Sequence, residues 1–176
     1  MNKILVTGSN GFLGQAVCED LIKKNYRVIA VSRKKKELFK NTANLENFYI
    51  DDLNSELNWE KVLNNVNCIV HCAAKVHQEN HNYHNELDLY RNINLYGTIK
   101  LANQASKAGV KRFIYISTIK VNGEFSKINT KFKSSDLVNP IGSYSISKWE
   151  AEKELRLLSS KTGIEIVIYD LHLFMA

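Results

Sequence analysis

Short apolar runs alternate with longer amphipathic stretches along the whole chain. Ile4-Leu-Val-Thr7 is too short for a helix and stops at Gly8. Phe12, Leu13, Ala16, Val17 and Leu21 then recur at helical spacing over residues 12–24, and Asn25 closes the segment. The same pattern predicts strands at 27–31, 48–50, 67–72, 112–117 and 165–169. It predicts helices at 57–65, 86–107 and 145–160, with a further short helix in the polar stretch after the second strand. Leu87, Ile93, Leu95, Ile99, Leu101, Ala102 and Ala105 form the apolar face of the long 86–107 helix, and Gly109 lies beyond its end. Trp59 and Trp149 fall at helical positions and read as packing residues.

Strand–helix alternation with mostly apolar strands implies a parallel sheet covered on both faces. Right-handed crossovers then give a doubly wound α/β fold with strand order 3-2-1-4-5-6. Ligands of such sheets sit beyond the strand C-termini, so chemistry is sought at that end. No repeat or linker divides the chain, and 1–176 reads as one domain.

Composition narrows the class further. The chain has 176 residues, 44% hydrophobic and 24% charged, which suits a real core and excludes a disordered or collagenous chain. No apolar run approaches the roughly 20 residues of a membrane span. Met1-Asn-Lys runs straight into the first strand, so no signal peptide is expected. Cys18, Cys68 and Cys72 form an odd set without a CxxC pair, which reads as reduced thiols in the cytoplasm. The net charge of +6 invites a nucleic-acid reading, but Lys outnumbers Arg 19 to 5 and no aromatics interleave with the basic residues. Only Arg33-Lys34-Lys35-Lys36 is a cluster, so no nucleic-acid partner is expected.

The sharpest motif is Thr7-Gly8-Ser9-Asn10-Gly11-Phe12-Leu13-Gly14, lying between a strand and a helix. Gly8 permits a tight turn, Gly11 lets backbone approach a pyrophosphate, and Gly14 lets the helix pack on the sheet. The free N–H groups at the helix start would face phosphate. The alternative is a β–α turn without ligand. At the end of the second strand, Arg33 stands where an acidic residue would bind the ribose 2′-hydroxyl of NAD. It suits a 2′-phosphate, which favours NADP over NAD; a solvated basic turn is the alternative. Asp52 and Leu53 follow the third strand at the expected adenine edge. Cys72, Ala73 and Ala74 supply small residues where backbone passes the cofactor.

Tyr144-Ser145-Ile146-Ser147-Lys148 puts Lys148 one helical turn after Tyr144. A phenol with a pKa of about 10 is a poor acid–base group at neutral pH. A neighbouring cation would lower that pKa by favouring the phenolate. Ser117 and Thr118 close the fifth strand, where a hydroxyl can bond a substrate oxygen. A helix-surface pair is the alternative reading of the Tyr–Lys spacing.

Taken together, these residues resemble the extended short-chain dehydrogenase/reductase family, in its sugar-nucleotide epimerase/dehydratase group, with its Rossmann-like fold. The resemblance also rests on His71-Cys-Ala-Ala74, Asn92-Ile-Asn94-Leu-Tyr-Gly97-Thr98 and Ile116-Ser-Thr-Ile-Lys-Val-Asn-Gly123. It implies Tyr144 as acid/base, Lys148 as its partner on the nicotinamide ribose, and Thr118 as the catalytic hydroxyl beside Ser117. Asn94 would help hold the site. The implied reaction is hydride transfer at a sugar C4 by a 4-epimerase or 4-keto-sugar reductase of bacterial surface-polysaccharide synthesis. The implied partners are NAD(P) and a nucleotide sugar, UDP-linked by expectation, with a homodimer as the expected assembly.

His71, His77, His81 and His84 raise a metal site, but no carboxylate or Cys completes a ligand set, and none is expected. Cys68 and Cys72 are expected as core thiols of the fourth strand. The resemblance implies a C-terminal substrate-binding region past the sixth strand, and this chain is expected to be a truncated member without it. Back-translating Asp170–Ala176 and dropping two bases yields Pro-Pro-Phe-Val-Tyr-Gly, near the family pattern, so a frameshift near residue 169 of a longer enzyme is expected. A dinucleotide-binding module without catalysis is the competing expectation.

Overall fold

The computed structural model of the chain describes residues 2–33, 43–54, 56–76, 85–125, 132–133 and 136–171. Strands β1 (Lys3–Thr7), β2 (Arg27–Ser32), β3 (Leu45–Tyr49), β4 (Cys68–His71), β5 (Arg112–Thr118) and β6 (Glu165–Leu171) form one sheet. Their order is β3-β2-β1-β4-β5-β6, and every pairing is parallel. This is the doubly wound, Rossmann-like arrangement that the strand–helix alternation implies.

The strands are apolar along their length because both faces are covered. Alternate residues of β1 split between two cores. Leu5 stands beside Ile29 and Ile69 in register and packs with Trp59, Leu63, Phe113 and Leu155 on one face. Ile4 and Val6 face the other way, against Cys18, Val17 and Leu21 of helix α1 (Phe12–Lys23). Asn25, with φ of 59°, turns the chain out of α1 into β2.

The expected 57–65 helix does not form. Asn58 Oδ1 accepts the Glu60 N–H at 2.9 Å, Gln104 Oε1 accepts the Trp59 N–H at 2.7 Å, and Asn65 has a φ of 57°. Local side-chain acceptors compete with the helix ladder, and only isolated turns remain. Trp59, Val62, Leu63 and Val66 still bury themselves, so the apolar periodicity reported core contacts rather than helix. Trp59 therefore packs as expected, from a turn.

The expected 86–107 helix is continuous but not uniform. It runs as α2 (Glu86–Arg91), a π-helical segment (Asn92–Gly97) and α3 (Thr98–Lys107). Helix α4 spans Ser143–Thr162, longer at both ends than the apolar pattern marks. The short helix expected after β2 falls largely on residues 34–42, outside the described residues, as does the tail beyond Leu171. Among the described residues, no helix is long and apolar enough to cross a membrane.

Helix α1 lies directly on the β1 turn. A Cβ on Gly14 would stand 2.1 Å from the Gly8 carbonyl oxygen, a backbone atom that cannot move aside. Gly14→Ala is expected to lower unfolding free energy by about 1–3 kcal/mol in urea melts. Gly11→Ala, whose Cβ would meet that oxygen at 3.2 Å, should cost less.

Candidate functional site

A cavity of about 570 Å³ opens at the C-terminal end of the sheet. It sits over β1 and β4, where the strand order reverses direction, the place where open α/β sheets bind ligands. Thr7, Gly8, Asn10 and Gly11 form its floor, and Val31, Ser32 and Arg33 come from the end of β2. Asp52 and Leu53 line it after β3, and Cys72, Ala73, Ala74 and Lys75 after β4. Thus most residues expected at the cofactor line one cavity. Phe12, Leu13 and Gly14 do not; Phe12 is 89% exposed, and Gly14 acts through packing.

The turn is tight because Gly8 adopts a φ of +67° and Gly11 N–H donates to the Gly8 carbonyl at 2.9 Å. A Cβ on Gly8 would stand 2.8 Å from Ala73 N, so only glycine lets the β1 and β4 loops meet. Beneath them lies a buried polar relay. Thr7 Oγ1 accepts the Ala73 N–H at 3.2 Å and lies 2.7 Å from His71 Nδ1. On the other side of the ring, Nε2 lies 3.0 Å from Thr98 Oγ1, so each ring nitrogen meets a hydroxyl, one as donor and the other as acceptor. Burial, reinforced by Lys148, pushes His71 down to about 3, so its imidazole is neutral. His71 thus ties β1, β4 and α3 together. It is not a metal ligand here, and His77, His81 and His84 lie outside the described residues. Among the described residues no cluster of His, Cys, Asp or Glu is placed to hold a metal.

Arg33 is exposed and its Nη1 stands 3.7 Å from Asp52 Oδ1 on the cavity rim. Its neighbours Lys34–Lys36 lie outside the described residues. Cys18 is fully buried, whereas Cys68 and Cys72 are half-buried and pack against the same core, and Cys72 also lines the cavity. Burial pushes the Cys72 thiol up to about 11, partly offset by the Lys148 charge.

Asn94 is buried in the π-helical segment, 1% exposed, and does not line the cavity. Its amide brackets Lys75, accepting from Lys75 N at 2.8 Å and donating to Lys75 O at 3.0 Å. It also donates to Ser147 Oγ at 3.0 Å, which joins the cavity loop to α4. The wide π turn aims this side chain inward.

On α4, Tyr144 hydrogen-bonds Thr118 at the head of β5. Burial pushes its phenol up, Thr118 opposes that shift, and Tyr90, packed edge-on at 6.4 Å between ring centroids, adds to it. The expected lowering by Lys148 is absent in this arrangement. Lys148 instead turns under the sheet, its Nζ donating to the Ile116 carbonyl at 2.6 Å and lying 3.9 Å from the Tyr115 ring centroid. Burial pushes it down to about 7, against the attraction of Glu152, Cys72 and Asp170. Ser117, expected to face a ligand, points inward and donates to Glu152 Oε1 at 2.5 Å. Sequence reasoning missed Glu152. Its signal was a carboxylate one turn beyond Lys148 on the same helix face.

A glycine turn beside a cavity at the reversal point of a parallel sheet defines a Rossmann-like class of domain. Residues 4–173 match the NAD dependent epimerase/dehydratase family, and the chain belongs to that family. A Vibrio cholerae UDP-glucose 4-epimerase is 39% identical over 168 residues, covering 94% of this chain and 49% of that protein. A UDP-glucuronic acid 4-epimerase from Bacillus cereus, solved in complex with NAD, superposes with a TM-score of 0.78 at 25% identity, covering 94% of this chain and 54% of that one. A UDP-N-acetylglucosamine 4-epimerase from Bacillus cereus gives 0.79 at 25% identity, with 99% and 62% covered. The chain spans about half the length of the curated relatives it matches.

The depressed His71 fixes a pH dependence. The unfolded chain takes up a proton near pH 6.5 and the folded chain only near 3, so stability falls as pH drops through that window. The slope from this one group reaches about 1.4 kcal/mol per pH unit. Glu152, raised to about 7, gives the opposite slope in part of this window, so the difference between the unmodified chain and His71→Asn in urea melts from pH 7 to 4 should isolate the His71 slope.

Proposed function

We propose that the chain carries the cofactor-binding half of an NAD(P)-dependent nucleotide-sugar epimerase or 4-keto-sugar reductase, acting at a sugar C4. The observation that carries this reading is that the glycine-floored cavity and the Tyr144–Thr118 pair lie at the same end of one sheet. The Gly8–Ala73 approach fits a pyrophosphate, since a side chain there would close the gap that backbone must share with phosphate. Asp52 and Arg33 would hold the adenosine end, and Cys72, Ala73 and Ala74 would pass close to its middle. The similar epimerases name UDP sugars, which makes a UDP-linked hexose the substrate class we propose. We propose surface-polysaccharide synthesis as the setting of this reaction.

The nicotinamide would supply and accept hydride when bound. Everything else is the work of this chain's residues. Tyr144 keeps its proton at neutral pH, because burial holds its phenol up. It is ready to donate that proton to a C4 oxygen, as reduction of a keto sugar requires. Working in reverse, as an epimerase must, it needs a cation to favour the phenolate, and Lys148 is one helical turn away. Thr118 holds the Tyr144 hydroxyl and would share the same substrate oxygen. Asn94 fixes the cavity loop against α4.

Arg33 supports NADP(H), since a guanidinium on the rim suits a 2′-phosphate. Fluorescence titration should give saturable binding of NADPH tighter than NADH. Arg33→Ala should weaken NADPH about tenfold or more and leave NADH little changed. Tighter binding of NADH would refute this assignment of Arg33, and failure to bind either would refute the cofactor site. Turnover of UDP-glucose with bound cofactor should fall about 10²–10⁴-fold in Tyr144→Phe while cofactor affinity holds. Binding without turnover in the unmodified chain would instead identify a binding module.

A further inference from the structure

Tyr144, Lys148 and Glu152 are spaced four apart on one face of α4, and each meets a group at the head of β5. Thr118 bonds Tyr144, the Ile116 carbonyl accepts from Lys148 at 2.6 Å, and Ser117 Oγ donates to Glu152 at 2.5 Å. Three consecutive β5 residues thus serve three successive helix positions. The first two rungs belong to the proposed chemistry, and the third has no part in it. Yet Glu152 is 2% exposed and Lys148 1%, so an acid and a base are buried one helical turn apart.

We propose that Glu152 is a positioning residue, whose buried carboxyl group is the counter-charge that keeps Lys148 an ammonium seated at the head of β5. This rests on the proposed function, in which that ammonium assists Tyr144, and on the family resemblance, which places Lys148 on the nicotinamide ribose. A lysine this deep loses its hydration, and water must be replaced by polar neighbours or the proton is lost. The Ile116 carbonyl and Tyr115 ring supply dipole and π contacts but no charge. Of the groups whose attraction favours the ammonium, Glu152 is the foremost, with Cys72 and Asp170 behind it. His71, the neighbouring base, is neutral and adds no competing charge.

Glu152 is itself poised. Burial, with the Asp170 charge of β6 adding to it, raises Glu152 to about 7, against Ser117, Arg156 and Lys148, which favour its charged form. Arg156 reaches Oε2 from the exposed side at 3.8 Å. Ser117 therefore works through Glu152: its hydroxyl stabilises the carboxylate that in turn stabilises the ammonium. This explains why Ser117 faces inward rather than toward the cavity.

The test reads Lys148 directly. In the full chain labelled with [ε-¹³C]lysine, one resonance should titrate near neutral pH, far below the ordinary lysine value, and vanish in Lys148→Met. Glu152→Gln should move that midpoint down by about one pH unit or more. Asp170→Asn should move it less, and Ser117→Ala should move it the same way while leaving the carboxyl in place. Ser117→Ala also serves if Glu152→Gln fails to fold by circular dichroism. An unchanged midpoint in the variant that folds, or a larger shift in Asp170→Asn, would overturn the proposal. NADPH affinity should fall about tenfold in Glu152→Gln at pH 8 and recover at pH 6; an equal loss at both would mark a merely structural role and overturn it as well. If the unmodified chain bound no cofactor, the proposed function would fail while the lysine midpoints still decided the role of Glu152.

Discussion

A lysine ammonium taken out of water must find replacements for its hydration, or it gives up its proton. Lys148 finds a backbone carbonyl, an aromatic face and a carboxyl group, and each comes from a fixed element: β5, β5 again, and its own helix. Those requirements set how α4 lies against the sheet. The helix cannot rotate without breaking several rungs together, and its apolar contacts through Ala151, Leu155 and Leu158 lock the same face. Tyr144 inherits its position from this seating. The packing of the core and the placement of the chemistry are therefore one problem, solved by one helix face.

The other half of the site is held by neutral groups. His71 has no charge to lend, because burial has removed it. Its value lies in having one donor and one acceptor on opposite sides of a rigid ring, which spans the gap between Thr7 and Thr98. Through Thr7 this reaches the Ala73 N–H, and so aligns the loop that meets Gly8. Asn94 does similar work from the π-helical segment, gripping both backbone groups of Lys75. Two buried side chains thus set the shape of a cavity that neither of them lines.

What was legible in the sequence were the features with a period or a fixed chemical need. Apolar alternation located all six strands, and the glycine turn announced the cavity floor. β3 begins earlier than marked, at Leu45, and β5 and β6 run on to Thr118 and Leu171, because ladder pairing extends beyond the central apolar run. Residues 57–65 misled because Trp59, Val62 and Leu63 have helical spacing, while the Asn side chains that cap the local turns carry no periodic signal. Ser117 misled because a hydroxyl at a strand end reads the same whether it faces a ligand or a buried acid. Only the third dimension brings Glu152 under it. The same holds for Lys148: its spacing from Tyr144 was visible, but its turn toward Ile116 was not.

The π-helical segment has one more implication. Tyr90, Asn94 and Thr98 face inward at intervals of four, whereas an α-helix repeats every 3.6 residues, so a regular helix would drift by about 40° at each step. The wider turns absorb that drift and keep the three side chains on one line. This helix is therefore tuned in length as well as in composition. A π turn holds more residues than the α turn it replaces, and here it turns Asn94 inward while Thr98 stays on His71 and Leu101 stays in the core. Within the segment the inward positions Asn94, Leu95 and Gly97 are fixed by burial, and Gly97 by its close approach to Leu53.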